Sequence, residues 1–255
     1  MIDLHSHVLP GVDDGPDDLE AAVAMCRAAA TDGCTAVVTT PHLRHPAWPS
    51  TDRDQIRSAY ERVRREVEGW FDLRLGAEIR VDADLLGELG GDHPSFLSLA
   101  GSRYLLLELD RWGTGPSPEE IVHEARVAGW IPVLAHPEHI PLFVESPDRA
   151  EILVRDGAML QVTAMSVTGE FGRAAHRTAW ELLDRGLVHF VASDSHSPEW
   201  RPPGLEEARR LRASRLGEEA AWRLTRDLPA RVLADRPPDE EPVGAGETFE
   251  EAESA

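Results

Sequence analysis

Acidic and imidazole side chains stand at the ends of apolar, strand-like runs along most of this chain, and that placement narrows the folds open to it. The series opens with Asp3-Leu4-His5-Ser6-His7. Residues two apart on a β-strand face the same side, so His5 and His7 aim at one point. The pattern returns in Asp194-Ser195-His196, after the run Val188-His189-Phe190-Val191-Ala192. Between these ends, His42 follows residues 36–40, Glu78 follows 73–77, Glu108 follows 104–107 and His136 follows 131–135. With Asp14 in the loop 10–15, this makes nine candidate metal ligands.

Strand and helix signals alternate. Strands are predicted at about 1–7, 34–40, 71–78, 103–109, 130–135, 158–163 and 188–193. Helices are predicted at about 17–32, 52–68, 83–90, 117–128, 147–156 and 170–185, with one or two more in 204–234. Asp17 reads as the first N-cap and Gly33 as its stop. Ser117 with Glu120 three residues on reads as a capping box. The seven strands are nearly continuous apolar runs, as parallel strands covered on both faces should be. Repeated βα units form either an open doubly wound sheet or a closed barrel. An open sheet gathers its site at one switch point from a few strands, whereas ligand candidates here follow six of the seven runs. Only a ring brings them together, so the expected fold is α/β, a seven-stranded (β/α)7 TIM-like barrel. Residues 1–235 form its single domain, and the acidic residues 236–255 are expected to be a disordered tail.

Composition excludes several classes of function. The formal charge is −20, of which residues 235–255 contribute eight acids against one arginine. The remaining −13 repels nucleic acid backbones, so no nucleic-acid partner is expected. No apolar run approaches the ~20 residues of a membrane span. The opening residues lack the basic and apolar regions of a signal peptide. Two cysteines outside any Cys-x-x-Cys pattern favour a reducing, cytoplasmic setting. The chain has no lysine, which removes Schiff-base chemistry and leaves arginine as the phosphate clamp. The residues six after Cys26 and Cys34 are Asp32 and Thr40, so there is no Cys-x5-Arg loop for covalent cysteine catalysis.

The ligand candidates point to cations. Two imidazoles on one strand face are costly to bury without a partner, and so is a carboxylate ending an apolar strand. A cation cluster accounts for both. Nitrogen and oxygen donors without thiolate suit manganese, iron or zinc. Nine ligands exceed the needs of one ion and fit two or three divalent ions sharing a bridging carboxylate. His45, His93, His123, His176 and His189 have no matching neighbour in sequence and read as surface or core residues.

These residues resemble the PHP superfamily (polymerase and histidinol phosphatase), and within it the bacterial manganese-dependent protein-tyrosine phosphatases of capsule and exopolysaccharide gene clusters. The resemblance covers residues 1–235. It is carried by Met1–His7, Leu9-Pro-Gly-Val-Asp-Asp-Gly15, Thr40-Pro-His42, Gly76-Ala-Glu-Ile-Arg80, Leu107-Glu108, Ile131-Pro-Val-Leu-Ala-His-Pro-Glu138 and His189-Phe-Val-Ala-Ser-Asp-Ser-His196. The run Val12–Gly15 and the segment Gly169-Glu-Phe-Gly172 narrow it to the phosphatase subgroup. The resemblance implies a distorted barrel with a trinuclear site. His5, His7, Glu78 and Asp194 would hold one ion, Glu78 would bridge to a second held by Glu108 and His136, and Asp14, His42 and His196 would hold the third. It implies two arginines on the substrate phosphate. One matches Arg201; at the other position, after His-Pro-Glu, this chain has His139, which would make phosphate binding weaker or pH-dependent. Arg44, Arg80 and Arg111 are the possible substitutes.

The implied activity is hydrolysis of phosphotyrosine on a protein, by analogy a tyrosine autokinase controlling polysaccharide export. A small-molecule phosphatase, such as one for histidinol phosphate, and a degenerate interaction scaffold are the alternatives. Trp48, Trp112 and Trp200 are candidates to hold the tyrosyl ring.

Overall fold

The computed structural model describes residues 1–91, 95–111, 113 and 115–238. His93, Trp112 and the acidic tail from residue 239 onward lie outside the described residues. The described strands are β1 (Ile2–Ser6), β2 (Ala36–Thr39), β3 (His42–Leu43), β4 (Asp72–Leu75), β5 (Glu78–Arg80), β6 (Tyr104–Glu108), β7 (Ile131–Ala135), β8 (Met159–Thr163) and β9 (Phe190–Ala192).

Every strand pairing is parallel, in two sheets with the orders β1-β2-β4 and β3-β5-β6-β7-β8-β9. Helices cover the strands, which is why β1, β2 and β8 are buried along their whole length. The sheets differ from the expected single closed sheet in two places. The expected strand 71–78 is broken in two at Gly76, and past Pro41, where a loop was expected, the chain forms a further short strand, β3. Pro41 has no N–H to continue the ladder. At Gly76 a Cβ would come within 3.0 Å of Val38 Cγ1 and 3.3 Å of Leu99 Cα, so the chain turns where only glycine fits easily. Hydrogen bonds still cross both breaks, from Gly76 N to Thr39 O (2.9 Å) and from Glu78 N to Pro41 O (3.1 Å). The second difference is between β1 and β9, where the ladder shrinks to one bridge, Ser6 with Ser195. It is held by Asp194 N donating to His5 O and His7 N to Ser195 O, both at 2.8 Å.

The first helix, Leu19–Thr31, is capped by Asp18, one residue later than expected; its carboxylate accepts from Ala21 N. The capping box forms as read: Ser117 Oγ accepts from Glu120 N and Glu120 returns a carboxylate to Ser117 N. Residues 204–234 fold as Leu205–Leu216, Glu218–Trp222 and Leu228–Leu233, the last two joined by a π-helical turn at Arg223–Asp227. No helix among the described residues is long and apolar enough to cross a membrane.

Candidate active site

The parallel strands all point the same way, so the residues that end or follow them gather at one rim. β1 delivers His5, and His7 lies just past its end. β6 ends on Glu108, His136 follows β7, and Asp194 and His196 follow β9. His42 and Glu78 open the short strands β3 and β5 rather than ending long ones, because the breaks at Pro41 and Gly76 restart the chain there. His136 and Asp194 have φ of 35° and 53°, left-handed values that non-glycine residues seldom adopt. Such strain clusters at functional sites.

All nine predicted ligands come together. Glu78, 1% exposed, is the hub. Its Oε2 lies 3.5 Å from His5 Nε2, 3.4 Å from His7 Nε2 and 3.0 Å from His42 Nδ1, and its Oε1 lies 2.7 Å from His136 Nε2. Asp194 Oδ1 stands 3.2 Å from His5 Nε2 and 3.6 Å from His7 Nε2. Asp14 Oδ1 stands 3.2 Å from His196 Nε2 and 3.7 Å from His42 Nε2. Donor atoms fall within 4.8 Å of one another in three groups: His5, His7 and Asp194; His7, Asp14, His42 and His196; and His42, Glu78 and Glu108. His42 thus turns one ring nitrogen toward each of the last two groups, while His136 reaches the site through Glu78.

A second layer orients these rings, and sequence reasoning missed most of it. His5 Nδ1 donates to Gln161 Oε1 at 2.9 Å, which leaves Nε2 free to face the centre. His7 Nδ1 donates to Asp13 Oδ2 at 2.7 Å with the same result. Asp13 also accepts from His42 N and Gly15 N. His196 Nδ1 donates to Asp194 O at 2.9 Å. Asp3 accepts from Ser193 N, Ser193 Oγ and His5 N, tying β1 to β9 beneath the site; burial lifts its pKa to about 6. A charged residue adjacent to Asp14 and a glutamine inside an apolar strand were the available signals.

The donor set suits divalent cations. Among the described residues, Glu108 Oε2 and His136 Nδ1 are buried without a hydrogen-bond partner. Burial pushes the Glu78 carboxyl upward, yet His5, His42 and His136 hold it well below the usual carboxylate range. Burial opposes a charge on His136, but Glu78 outweighs it and raises the imidazole to about 9. Glu108 is raised by burial and by the Glu78 charge. Carboxylates and imidazoles this crowded call for added positive charge, which cations supply without protons.

Seven of the nine residues line a cleft of about 230 Å³, together with Arg111, His139, Phe171 and Arg201. The Arg201 guanidinium pairs with Asp194 and lies 5.2 Å from the centre of the Phe171 ring. His139 lines the cleft, but burial and the neighbouring His136 hold its pKa down to about 4, so the ring is neutral near pH 7. The expectation that it titrates near neutrality is therefore corrected. Arg44 is committed to Asp82 and Glu88, and Arg80 to Glu108 and Asp110. Of the three substitutes, Arg111 alone lines the cleft.

Trp48 stacks on His42 (4.8 Å, 8° between planes) and so packs that ring. Trp200 is 62% exposed, with its ring 6.1 Å from His196. His45 departs from the bland reading: it lies 4.7 Å from the His42 ring, with Nε2 3.9 Å from Glu108 Oε2. His123 is exposed, His176 Nδ1 bonds Ser166 O, and His189 is half-buried, its Nδ1 accepting from Leu160 N.

Comparison with known proteins places this geometry. Residues 1–234 match the family described as capsular polysaccharide synthesis, CpsB/CapC. The tyrosine-protein phosphatase YwqE of Bacillus subtilis is 31% identical over 227 residues, spanning 88% of this chain and 89% of its own. The tyrosine-protein phosphatase CpsB of Streptococcus pneumoniae is 30% identical over 244 residues, spanning 92% and 99%. A crystal structure from the work on those two proteins, described there as unique metal-dependent tyrosine phosphatases, superposes with a TM-score of 0.87. It is 29% identical, with 95% and 98% of the two chains covered.

Proposed function

This chain belongs to the CpsB/CapC family, and from that membership we infer that it is a metal-dependent protein-tyrosine phosphatase. The observation that carries the reading is the hub at Glu78: one buried carboxylate within 3.5 Å of four imidazoles, beside a cleft that holds Arg201. Counting β2 with β3 and β4 with β5 as interrupted single strands gives seven staves, joined at Ser6 and Ser195 into a distorted (β/α)7 barrel. Residues 1–235 form this one phosphatase domain.

His5, His7 and Asp194 would hold one cation with Glu78. Glu78, Glu108 and His136 would hold a second, and Asp14, His42 and His196 a third. Manganese is our assignment, with iron and zinc compatible with the same donors. Bound there, the cations supply Lewis-acid activation of water and offset the phosphoryl charge. Arg201 grips the phosphoryl oxygens with its planar fork, and Asp194 holds that fork in place. Neutral His139 offers a hydrogen bond instead of a charge, and Arg111 supplies the second cation. Phe171, which lines the cleft, and the exposed Trp200, next to His196, take the tyrosyl ring. A phenolate leaving group has a pKa near ~10 and departs without a dedicated general acid.

The substrate is phosphotyrosine on a protein, and the family's link to capsular polysaccharide points to a tyrosine kinase of polysaccharide export. The free, buried Cys26 and Cys34 fit a reducing cytoplasm. The test is chelator-stripped protein reloaded with manganese, iron or zinc and assayed on phosphotyrosyl peptide and histidinol phosphate. A higher kcat/KM on the peptide, with manganese best, is expected. Activity after complete stripping, or a preference for histidinol phosphate, defeats the reading.

A further inference from the structure

A groove of about 680 Å³ runs between the loop after β1 and the helix Arg53–Val67. It meets the ligand-lined cleft at two points. Trp48 lines the groove, and its ring stacks on His42, which lines the cleft. Asp13 lines the groove, and the next residue, Asp14, lines the cleft. The Asp13 side chain is wholly buried against His7, so the groove meets this residue through its main chain. The wall on that side is therefore main chain together with the apolar Val12 and Trp48.

The opposite wall is a ridge of the helix. Asp54, Ser58 and Arg62 follow one another at i, i+4 and i+8, all exposed and all lining the groove. Among the described residues, neither the Asp54 carboxylate nor the Arg62 guanidinium takes part in an ion pair, whereas Arg64 on the same helix pairs with Glu61 and Glu68. Eight helical residues separate the two open charges by about 12 Å. Asp54 stands at the end nearer Trp48, because Thr51 N donates to Trp48 O at 3.1 Å and Asp52 then caps the helix.

Resting on the phosphotyrosyl-protein reading above, we propose that this groove holds the substrate's polypeptide beside the phosphorylated tyrosine. A basic side chain meets Asp54. An acidic one meets Arg62 about four residues farther along, since an extended strand advances ~3.3 Å per residue. The occupant is a polypeptide because the groove continues from the cleft that takes the tyrosine, and a protein substrate must leave that cleft over one of its rims. An aromatic wall edged by open charges is also what protein-binding surfaces present. Exposed ion pairs change affinity only a few-fold each, so the groove selects among phosphotyrosines and leaves the chemistry to the metal site.

The test uses the full chain loaded with manganese and three substrates. Free phosphotyrosine reports the metal site alone. Two phosphotyrosyl peptides of identical composition report the groove. One has lysine two and three residues from the phosphotyrosine on both sides and glutamate four residues beyond each; the other exchanges lysine and glutamate. Their equal net charge removes the pull of the chain's own −20. Wild type should favour the first peptide in kcat/KM by roughly fivefold, as two exposed pairs allow. Asp54→Arg combined with Arg62→Asp should reverse that order. Ser58→Trp, which fills the groove from an exposed position, should raise KM for both peptides. Every variant should hydrolyse free phosphotyrosine as wild type does. A wild type inactive on free phosphotyrosine defeats the enzymatic reading itself. Normal phosphotyrosine turnover without a preference between the peptides, or with one that the charge exchange leaves in place, overturns the groove assignment alone. So does a Ser58→Trp chain whose association state changes in sedimentation while KM for both peptides stays put, which would mark this face as a contact between copies.

Discussion

Asp13→Asn probes whether the layer behind the ligands matters as much as the ligands do. Asp13 Oδ2 accepts from His7 Nδ1 at 2.7 Å and from His42 N at 2.9 Å, while Oδ1 accepts from Gly15 N at 3.0 Å. A carboxylate satisfies all three donors. An amide cannot: whichever way it is turned, its NH2 meets an N–H. The clash leaves a buried donor unpaired at ~1–3 kcal/mol, and the lost charge removes a charge-assisted bond of ~1.5–3 kcal/mol. Loss of an outer partner of a metal-bound histidine lowers affinity ~10–100-fold, about 1.4–2.8 kcal/mol, in the same range. Burial pushes the Asp13 carboxyl up, but His7 outweighs it and holds the pKa below its ordinary 3.8. Its contribution is thus complete above that ordinary value and lost only as pH falls through the lower folded one, so the variant's deficit should be constant from pH 5 to 8. Manganese affinity measured by chelator competition, with the His7 tautomer read from 15N shifts, is the assay. An affinity within about twofold of wild type, with His7 still protonated on Nδ1, would refute the reasoning.

Four further outcomes are expected. Glu78→Gln should lower both bound metal and kcat by more than ~100-fold, beyond the loss typical of an outer-layer residue; full metal content with full activity would contradict the bridging role. Arg201→Lys keeps a charge beside Asp194 but removes the planar fork, so KM for phosphotyrosyl peptide should rise ~10-fold with metal content unchanged. Trp200→Ala, at an exposed position, should raise KM for the peptide without moving Tm; an unchanged kcat/KM removes Trp200 from substrate binding. Burial holds His189 down to about 4, while its Nδ1 accepts from Leu160 N. The native state therefore refuses a proton that the unfolded chain takes up below ~6.5, and stability should fall by on the order of 3 kcal/mol between pH 7 and pH 4. Urea unfolding of wild type and His189→Gln across that range checks it, since the variant should lose this part of the slope.

Periodicity made much of the framework legible. The apolar runs at 104–107 and 131–135 became β6 and β7 within a residue or so, and Ser117 with Glu120 capped its helix as read. The break at Gly76 was not read as a break, because apolar residues stand on both sides of it and its effect depends on Val38 and Leu99 crowding Gly76 from other elements. The strand end before Pro41 was read, but the short strand His42–Leu43 beyond it was not, because two residues are too few to show a period. Asp13, Gln161 and Asp3 were missed as supporting residues because a polar side chain in a strand or loop gains meaning only from the ring it faces.

The linear order of residues determined which donors were on hand: His5 and His7 two apart on one strand, a carboxylate or imidazole wherever an apolar run stopped, and no lysine to compete with arginine for phosphate. Tertiary structure alone decided which nitrogen of each imidazole faces inward, because a tautomer is set by a partner such as Gln161, which is 156 positions from His5 along the chain. It also decided that His139 is neutral and that His42 stands between two groups of donors, since burial and Coulomb forces act through space, not along the backbone.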